Sequence, residues 1–259
     1  MARRLIEIGA GRLPFDVAMF TAKQLLAAQG FGSGGTMHLS GELAVFRLIN
    51  SDKPLLFDVG AHIGEYTEKF LQSFPTGRSF AFEPLSAHLT ILRRRLSVCP
   101  HVRIFPFGLG FEVSSRTLYK DKDVSGLASL TRRRLDHMKI DMDCIESVSI
   151  RTLDDVVIEV GLPCIDLLKI DVEGHDLDVL KGSTKAMERG LIKLVQFEFG
   201  GCNLDTRTTL QDFWYFFQQY GYAMGIVQPS MRVQPLATYD EFYEQYRTAN
   251  FVAAPRGVI

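Results

Sequence analysis

From Lys53 onward the sequence alternates short, continuously apolar runs with amphipathic stretches, and that alternation restricts the fold more than any other feature. Apolar runs at 54–59, 79–83, 102–107, 165–172, 191–199, 222–227 and 250–254 read as strands. Between them, 63–74, 85–96, 175–189 and 210–220 carry apolar residues at helical spacing. Strands without polar alternation are covered on both faces, so the pattern predicts a mainly parallel α/β sheet with helices on either side. Right-handed crossovers then bring the functional loops to the carboxyl ends of the strands. Segments 114–120 and 148–152 read as two further strands joined by a polar connection. Thr152-Leu-Asp-Asp155 opens a short helix with the spacing of a capping box, Asp standing where Glu or Gln is usual.

The first fifty residues differ. They read as a helical extension, 1–50, ahead of a catalytic domain at 51–259. Helical spacing over 15–29 stops at Gly30, a Gly- and Ser-rich loop covers 31–36, and a second helix is predicted over 40–50. This extension either covers the site or builds a homo-oligomer. The chain's opening is basic but lacks the run of about 7–15 apolar residues that marks a signal peptide. No stretch approaches the ~18 uninterrupted apolar residues of a membrane span. The four cysteines contain no C-x-x-C pair, so neither a zinc site nor a disulfide framework is expected, and a cytoplasmic protein is. A net charge of −1 offers no global field to draw the protein to nucleic acid. Two basic runs, Arg93-Arg94-Arg95 and Arg132-Arg133-Arg134, read as solvated surface, with local contact to an anionic substrate such as a sugar nucleotide or phospholipid headgroup as the alternative.

The turn after the first strand carries the clearest chemistry. Asp58-Val-Gly60-Ala61-His62-Ile-Gly64 follows a strand and opens a helix. Gly60 and Gly64 allow a tight turn and a close backbone approach, and the helix N-terminus offers free N–H groups. Such turns need glycine on steric grounds alone, so the pair by itself specifies no ligand. Glu83, closing the next strand, adds a carboxylate placed to accept both hydroxyls of an adenosine ribose, unless it merely caps the helix near Ser86. The spacing is D-x-G-x-x-x-G, not the G-x-G-x-x-G of a dinucleotide site. Asp58 would repel a pyrophosphate. It suits the sulfonium and ammonium groups of S-adenosylmethionine (SAM), directly or through water, which favours SAM over NAD.

Three strings resemble the FkbM-type SAM-dependent methyltransferases: LLFDVGAHIGEYT at 55–67, FAFEP at 80–84 and, most specifically, IDLLKIDVEGHDLDVLKG at 165–182 with TLDD upstream at 152–155. The resemblance covers about residues 42–255. It implies a Rossmann-like seven-strand methyltransferase sheet with an antiparallel last strand. It implies O-methylation of a hydroxyl on a sugar, glycan, glycolipid or polyketide alcohol, leaving S-adenosylhomocysteine. By the same resemblance Asp58, Gly60, Ala61 and Gly64 hold the methionine portion, Glu83 the ribose, and Phe107-Gly108 lie near the adenine. His62 stands where similar loops often have Asn, which changes the hydrogen bonding near the cofactor without removing the site.

The acceptor chemistry is expected around Lys169-Ile-Asp171-Val-Glu173-Gly174-His175. Along a strand Lys169, Asp171 and Glu173 point to one side, and His175 begins the next helix. Ionisable groups at the end of an apolar strand are expensive to bury. A salt bridge from Lys169 to Asp171 or Glu173 is the purely structural alternative. A positioned base would speed proton removal by about 10²–10⁴-fold. His175 suits that role if it is more than a cap; Asp171 is a second candidate base or orienting acceptor, with Glu173 steering His175 or the substrate. Glu198 points at the same cleft, and Asp171 with Glu198 offers oxygen ligands to a Mg²⁺-type cation, although no spacing requires a metal. The stretch 120–131, with Ser125-Gly126 and Ser129, reads as substrate wall. Tyr215, Tyr220, Tyr222, Tyr239, Tyr243 and Tyr246 read as packing, with sugar stacking as the alternative. Two rival functions remain: an NAD-linked dehydrogenase or epimerase of nucleotide sugars, and a cofactor-retaining scaffold without turnover.

Overall fold

All five residues of Leu55–Val59 are buried, so this strand is reached by solvent from neither face. In the computed structural model, which describes residues 13–259, it lies inside an eight-stranded sheet. The basic opening from Met1 to Arg12, which decides for or against a signal peptide, lies outside the described residues. In chain order the strands are Leu55–Val59 (β1), Arg78–Phe82 (β2), Val102–Phe105 (β3), Gly108–Leu109 (β4), Ser114–Lys120 (β5) and Cys144–Arg151 (β6). Then follow Leu167–Ile170 (β7), Val195–Phe199 (β8), Tyr222–Gln228 (β9), Arg232–Pro235 (β10) and Ala249–Pro255 (β11).

The main sheet has the order β10-β9-β11-β8-β7-β1-β2-β3. β1, β2, β3, β7 and β8 run parallel, while β11 lies antiparallel between β8 and β9, as expected of the last strand. The count is eight, not seven. The extra strand, β10, is an edge hairpin partner of β9, and its Arg-Val-Gln-Pro sequence contains no apolar run to announce it. The strands expected at 114–120 and 148–152 are present as β5 and a longer β6. They pair with each other and with β4 in a separate three-stranded sheet.

Two predicted helices take a different form. The 175–189 stretch divides into Asp176–Lys181 and Thr184–Glu188. Gly182 at the break lies against the small sheet's loop, where a Cβ would stand 2.0 Å from the Gly110 carbonyl oxygen. The second helix begins on Asp154, whose carboxylate accepts the Lys185 and Ala186 amides at 3.0 and 2.8 Å. Near the N-terminus, the helix expected over 40–50 is a single turn, Met37–Ser40, followed by a 3₁₀ helix, Glu42–Leu48. Gly41 separates them at φ 75, with its α-carbon so close to the Gln228 carbonyl that a Cβ would lie 2.0 Å from the oxygen. Phe46 then packs edge-on against Tyr66, Phe70 and Phe74, so residues 42–48 belong to the core. Helix Phe15–Ala28, by contrast, buries no residue fully and rests on the core through Leu26. Among the described residues no helix is long and apolar enough to cross a membrane.

One register positions the site. Asp58 of β1 lies opposite Lys169 of β7, which lies opposite Gln196 of β8. Three polar side chains thus share one level across the middle of an otherwise apolar sheet.

Candidate active site

A cavity of roughly 900 Å³ opens at the carboxyl ends of the parallel strands, with Gly60, Glu83, Asp171 and Glu198 on its wall. Gly60, just past β1, has φ 80, and a Cβ there would stand 1.9 Å from the Asp171 carbonyl oxygen. Only glycine lets the first loop meet the end of β7 so closely. The loop amides are already engaged: Gly60 and Ala61 donate to the Phe82 carbonyl at 3.0 Å, His62 to Glu83 and Gly64 to Ala61. The free N–H groups expected of this turn are therefore not at these four positions. Gly64 faces inward, where a Cβ would meet Leu92 at 2.6 Å, and Ala61 packs with Ala81, Leu89, Leu92 and Leu96. Both shape the loop from behind and neither lines the cavity.

Glu83 does line it, while only 4% exposed. Its Oε2 accepts the His62 amide and its Oε1 the Leu85 amide, each at 2.9 Å. His88 Nδ1 lies 3.2 Å from Oε1. The Ser125 amide donates to His88 Nε2 at 3.1 Å, so that nitrogen is an acceptor and the proton sits on Nδ1, facing Glu83. His62, at φ 50, sets its ring edge-on to His88 with centroids 4.3 Å apart. Burial, reinforced by His88, depresses the His62 pKa. Gly108 lies on the cavity wall beside Pro84. Phe107 does not: it packs on Phe82 and Phe105, with the Arg151 guanidinium 5.0 Å from its ring centroid.

Asp58 stands elsewhere than its motif implies. It is wholly buried and absent from the cavity wall; Thr67 donates to its Oδ2 at 2.7 Å, and Lys169 Nζ lies 4.0 Å from Oδ1. Burial raises its pKa against the pull of Lys169. Lys169 is likewise beneath the cavity, 3.0 Å from Asp171 Oδ2 and over the Tyr66 ring. Burial disfavours its charge, but Asp171, Asp58 and Glu42 outweigh that and hold it protonated. Lys169 is thus the buried salt bridge weighed as the structural alternative, and it does not face an acceptor.

The other three residues of that strand end reach the cavity. β7 stops at Ile170, and Glu173 takes φ 53, so it leaves the strand instead of continuing its alternation. Carboxylate oxygens of Asp171, Glu173 and Glu198 lie within 4.8 Å of one another, close enough to share protons or to hold a hard divalent cation. Arg133, from the second basic run, donates to Glu173 at 2.5 Å and stands 3.7 Å from Asp205. Burial, then the neighbouring Asp171, pushes the Glu173 and Glu198 pKa values up; Asp176 beside them is pushed up to about 7 for the same reasons. His175, at the start of helix Asp176–Lys181, bonds Asp178 through Nδ1 at 2.9 Å and Thr131 through Nε2 at 3.0 Å. The His175 contact holds the Asp178 carboxyl below its usual range. An ionised carboxylate only accepts, so Nδ1 carries the proton and Nε2 is the acceptor, its lone pair engaged by the Thr131 hydroxyl.

Ser125, Gly126 and Ser129 stand on the wall as expected; Ser129 also donates to the Glu173 carbonyl at 2.8 Å. Of the six tyrosines, Tyr246 alone lines the cavity, next to Arg247. The N-terminal segment, expected either to cover the site or to build a homo-oligomer, contributes wall, but sequence reasoning singled out none of the residues that do so: Gly32, Gly34, Thr36 and Glu42. Its one signal was the run of small residues at 31–36, which permits close packing but specifies no partner.

A parallel sheet with one antiparallel strand inserted near its end, and a carboxylate-bearing cavity over its parallel part, defines the methyltransferase type of α/β fold. Residues 58–224 match the Methyltransferase FkbM domain, and the chain belongs to that family. The 2-O-methyltransferase NoeI of Sinorhizobium fredii is 26% identical over 163 residues, 60% of this chain and 67% of that protein. The hexuronic acid methyltransferase AglP of Haloferax volcanii is 31% identical over 167 residues, 62% of this chain and 64% of that one. The chain thus spans about two thirds of each. The crystal structure of methyltransferase FkbM from Methylobacillus flagellatus shares the fold, with a TM-score of 0.51 and 17% identity over 92% of this chain and 60% of that one.

Proposed function

We propose that this protein transfers the methyl group of SAM to a hydroxyl of a sugar, glycan or related secondary alcohol. The observation that carries it is that Glu83 and His175 line one cavity, joined by the Gly60–Asp171 contact. The residues present fit a nucleoside ligand. Glu83 Oε2 is held by one backbone amide and keeps a second lone pair for a ribose hydroxyl, while Oε1 accepts the Leu85 amide and faces His88 Nδ1. The acidic wall fits a sulfonium and opposes the pyrophosphate of NAD. The names of NoeI and AglP support a sugar acceptor.

When bound, SAM supplies an electrophilic methyl on a positively charged sulfur. Gly60 and Glu83 would fix the donor, and the wall at 125–135 the acceptor, so that hydroxyl oxygen, methyl and sulfur fall in line. With the acceptor hydroxyl in place of the Thr131 hydroxyl, His175 Nε2 would take its proton, and the imidazolium so formed would rest on Asp178 through Nδ1–H. Asp171 and Glu173 stand where they can orient the acceptor hydroxyl.

Calorimetry with SAM, S-adenosylhomocysteine and NAD, followed by methyl transfer from labelled SAM to a panel of glycans, tests this. Binding of the two adenosyl ligands and label in a glycan are expected. NAD binding with neither adenosyl ligand bound would overturn the proposal; SAM binding without transfer in any acceptor would favour the scaffold.

A further inference from the structure

The methionine end of the cavity lacks the carboxylate that the Asp58 motif promises. Asp58 is buried behind the loop, satisfied by Thr67 and facing Lys169. Another carboxylate stands in front. Glu42, at the start of the 3₁₀ helix Glu42–Leu48, is only 8% exposed and lines the same cavity as Gly60 and Asp171. Its amide bonds Ser40, but among the described residues its carboxylate has no hydrogen-bond or ion-pair partner. Burial, aided by Asp171 and Asp58 and resisted by Lys169, pushes its pKa up to about 7. Three carboxylates, Glu42, Asp58 and Asp171, thus surround one cation, Lys169. Leaving a buried carboxylate unpaired is costly, and the arrangement has fewer positive charges than carboxylates.

Nor can Glu42 swing away to relieve this. Gly41 is pressed against the Gln228 carbonyl of β9, and Phe46 is locked among Tyr66, Phe70 and Phe74. The carboxylate is preorganised for a small cation arriving through the cavity.

We infer that Glu42 receives the α-ammonium group of the methionine portion of the cofactor, the task that the loop sequence assigns to Asp58. This rests on the SAM assignment above. Glu42 is then a cofactor-binding residue supplied from outside the nucleotide-binding motif.

Two ligands separate the possibilities. S-adenosylhomocysteine carries the ammonium; 5′-methylthioadenosine keeps the adenosine and a thioether but has no amino-acid group. Calorimetry on the full chain should show Glu42→Gln weakening S-adenosylhomocysteine by about ten- to a hundredfold while 5′-methylthioadenosine stays within about twofold of wild type. The unliganded thermal midpoint should not fall, since a buried charge has been removed. Glu42→Asp, shorter by one methylene, should show the same selective loss in smaller degree, and it carries the comparison if Glu42→Gln folds poorly. Unchanged binding of S-adenosylhomocysteine, or equal loss of both ligands, overturns the inference while leaving the SAM assignment standing. A wild-type protein that binds neither ligand removes the SAM assignment and this inference with it.

Discussion

Around Glu83 each carboxylate oxygen already accepts a backbone amide, and His88 stands beside it in a single tautomer. Across the cavity Asp171, Glu173 and Glu198 crowd their oxygens within 4.8 Å of one another, with Lys169 and Arg133 to oppose four acidic groups once Asp176 is included. At the first end Glu83 is fixed before any ligand arrives, which suits a donor that is always the same molecule. The buried His62 Nε2 and His88 Nδ1 beside it have no hydrogen-bond partner among the described residues. The second end is electrostatically unfinished, and proton, cation or acceptor hydroxyl can complete it. On the proposed function, the donor and acceptor ends of one cavity are therefore distinguished less by residue type than by how closely their carboxylates crowd one another.

The comparison can be broken most forcefully at its reactive end. His175→Ala should lower kcat by about 10²–10⁴-fold with S-adenosylhomocysteine affinity unchanged, and Asp178→Asn should give a smaller loss. If affinity falls along with turnover, the two ends are not separable. Gly60→Ala attacks the join between them. Added bulk against the Asp171 carbonyl, in a left-handed backbone, should weaken S-adenosylhomocysteine by roughly a hundredfold and cost about 1–3 kcal/mol of stability, read by calorimetry and thermal unfolding. Normal binding would disprove the tight contact. Glu83→Gln, at the first end, should weaken S-adenosylhomocysteine and 5′-methylthioadenosine alike by about tenfold, in contrast to the selective loss expected at Glu42.

The unfinished end also gives stability a pH dependence. Glu173 and Asp176 titrate upward, to about 8 and about 7, so the folded chain keeps protons that the unfolded chain has released. Their stabilising contribution is whole below the ordinary carboxylate range near pH ~4 and is lost as pH rises through about 7 to 8, at up to ~1.4 kcal/mol per pH unit per group. The thermal midpoint of the unliganded protein should fall between pH 5 and 8, and Glu198→Gln should flatten the slope. A midpoint that climbs over that range would show the cluster ionised throughout.

Much of this was legible in the sequence because it depends on local pattern. The continuous apolar runs located every parallel strand of the main sheet, and Thr152 does cap its helix by accepting the Asp155 amide. Glu83 and His175 were legible because each ends or follows a strand whose carboxyl end must face the site. What failed depends on neighbours distant in the chain. Asp58 follows the expected motif, yet its register opposite Lys169 and the reach of Thr67 draw it under the loop. The break at Gly182 comes from a carbonyl 72 residues away in sequence, that of Gly110. β10 stayed hidden because an edge strand needs no apolar run. Glu42 sits in a stretch whose spacing reads as an ordinary helix; only the tertiary packing of residues 42–48 turns it inward.

The contact between Gly60 and the Asp171 carbonyl also bears on how acceptor preference can change. On the proposed function it would weld the donor platform to the floor beneath the reacting hydroxyl, making the gap that a methyl group must cross a property of the two central strands. The loop at 121–143, which contributes Ser125, Ser129 and Arg133 to the wall, stands outside that weld. On the same reading, a change in its length or charge would re-address the enzyme to another acceptor provided that Ser129, Thr131 and Arg133 are kept, since they bond Glu173 and His175.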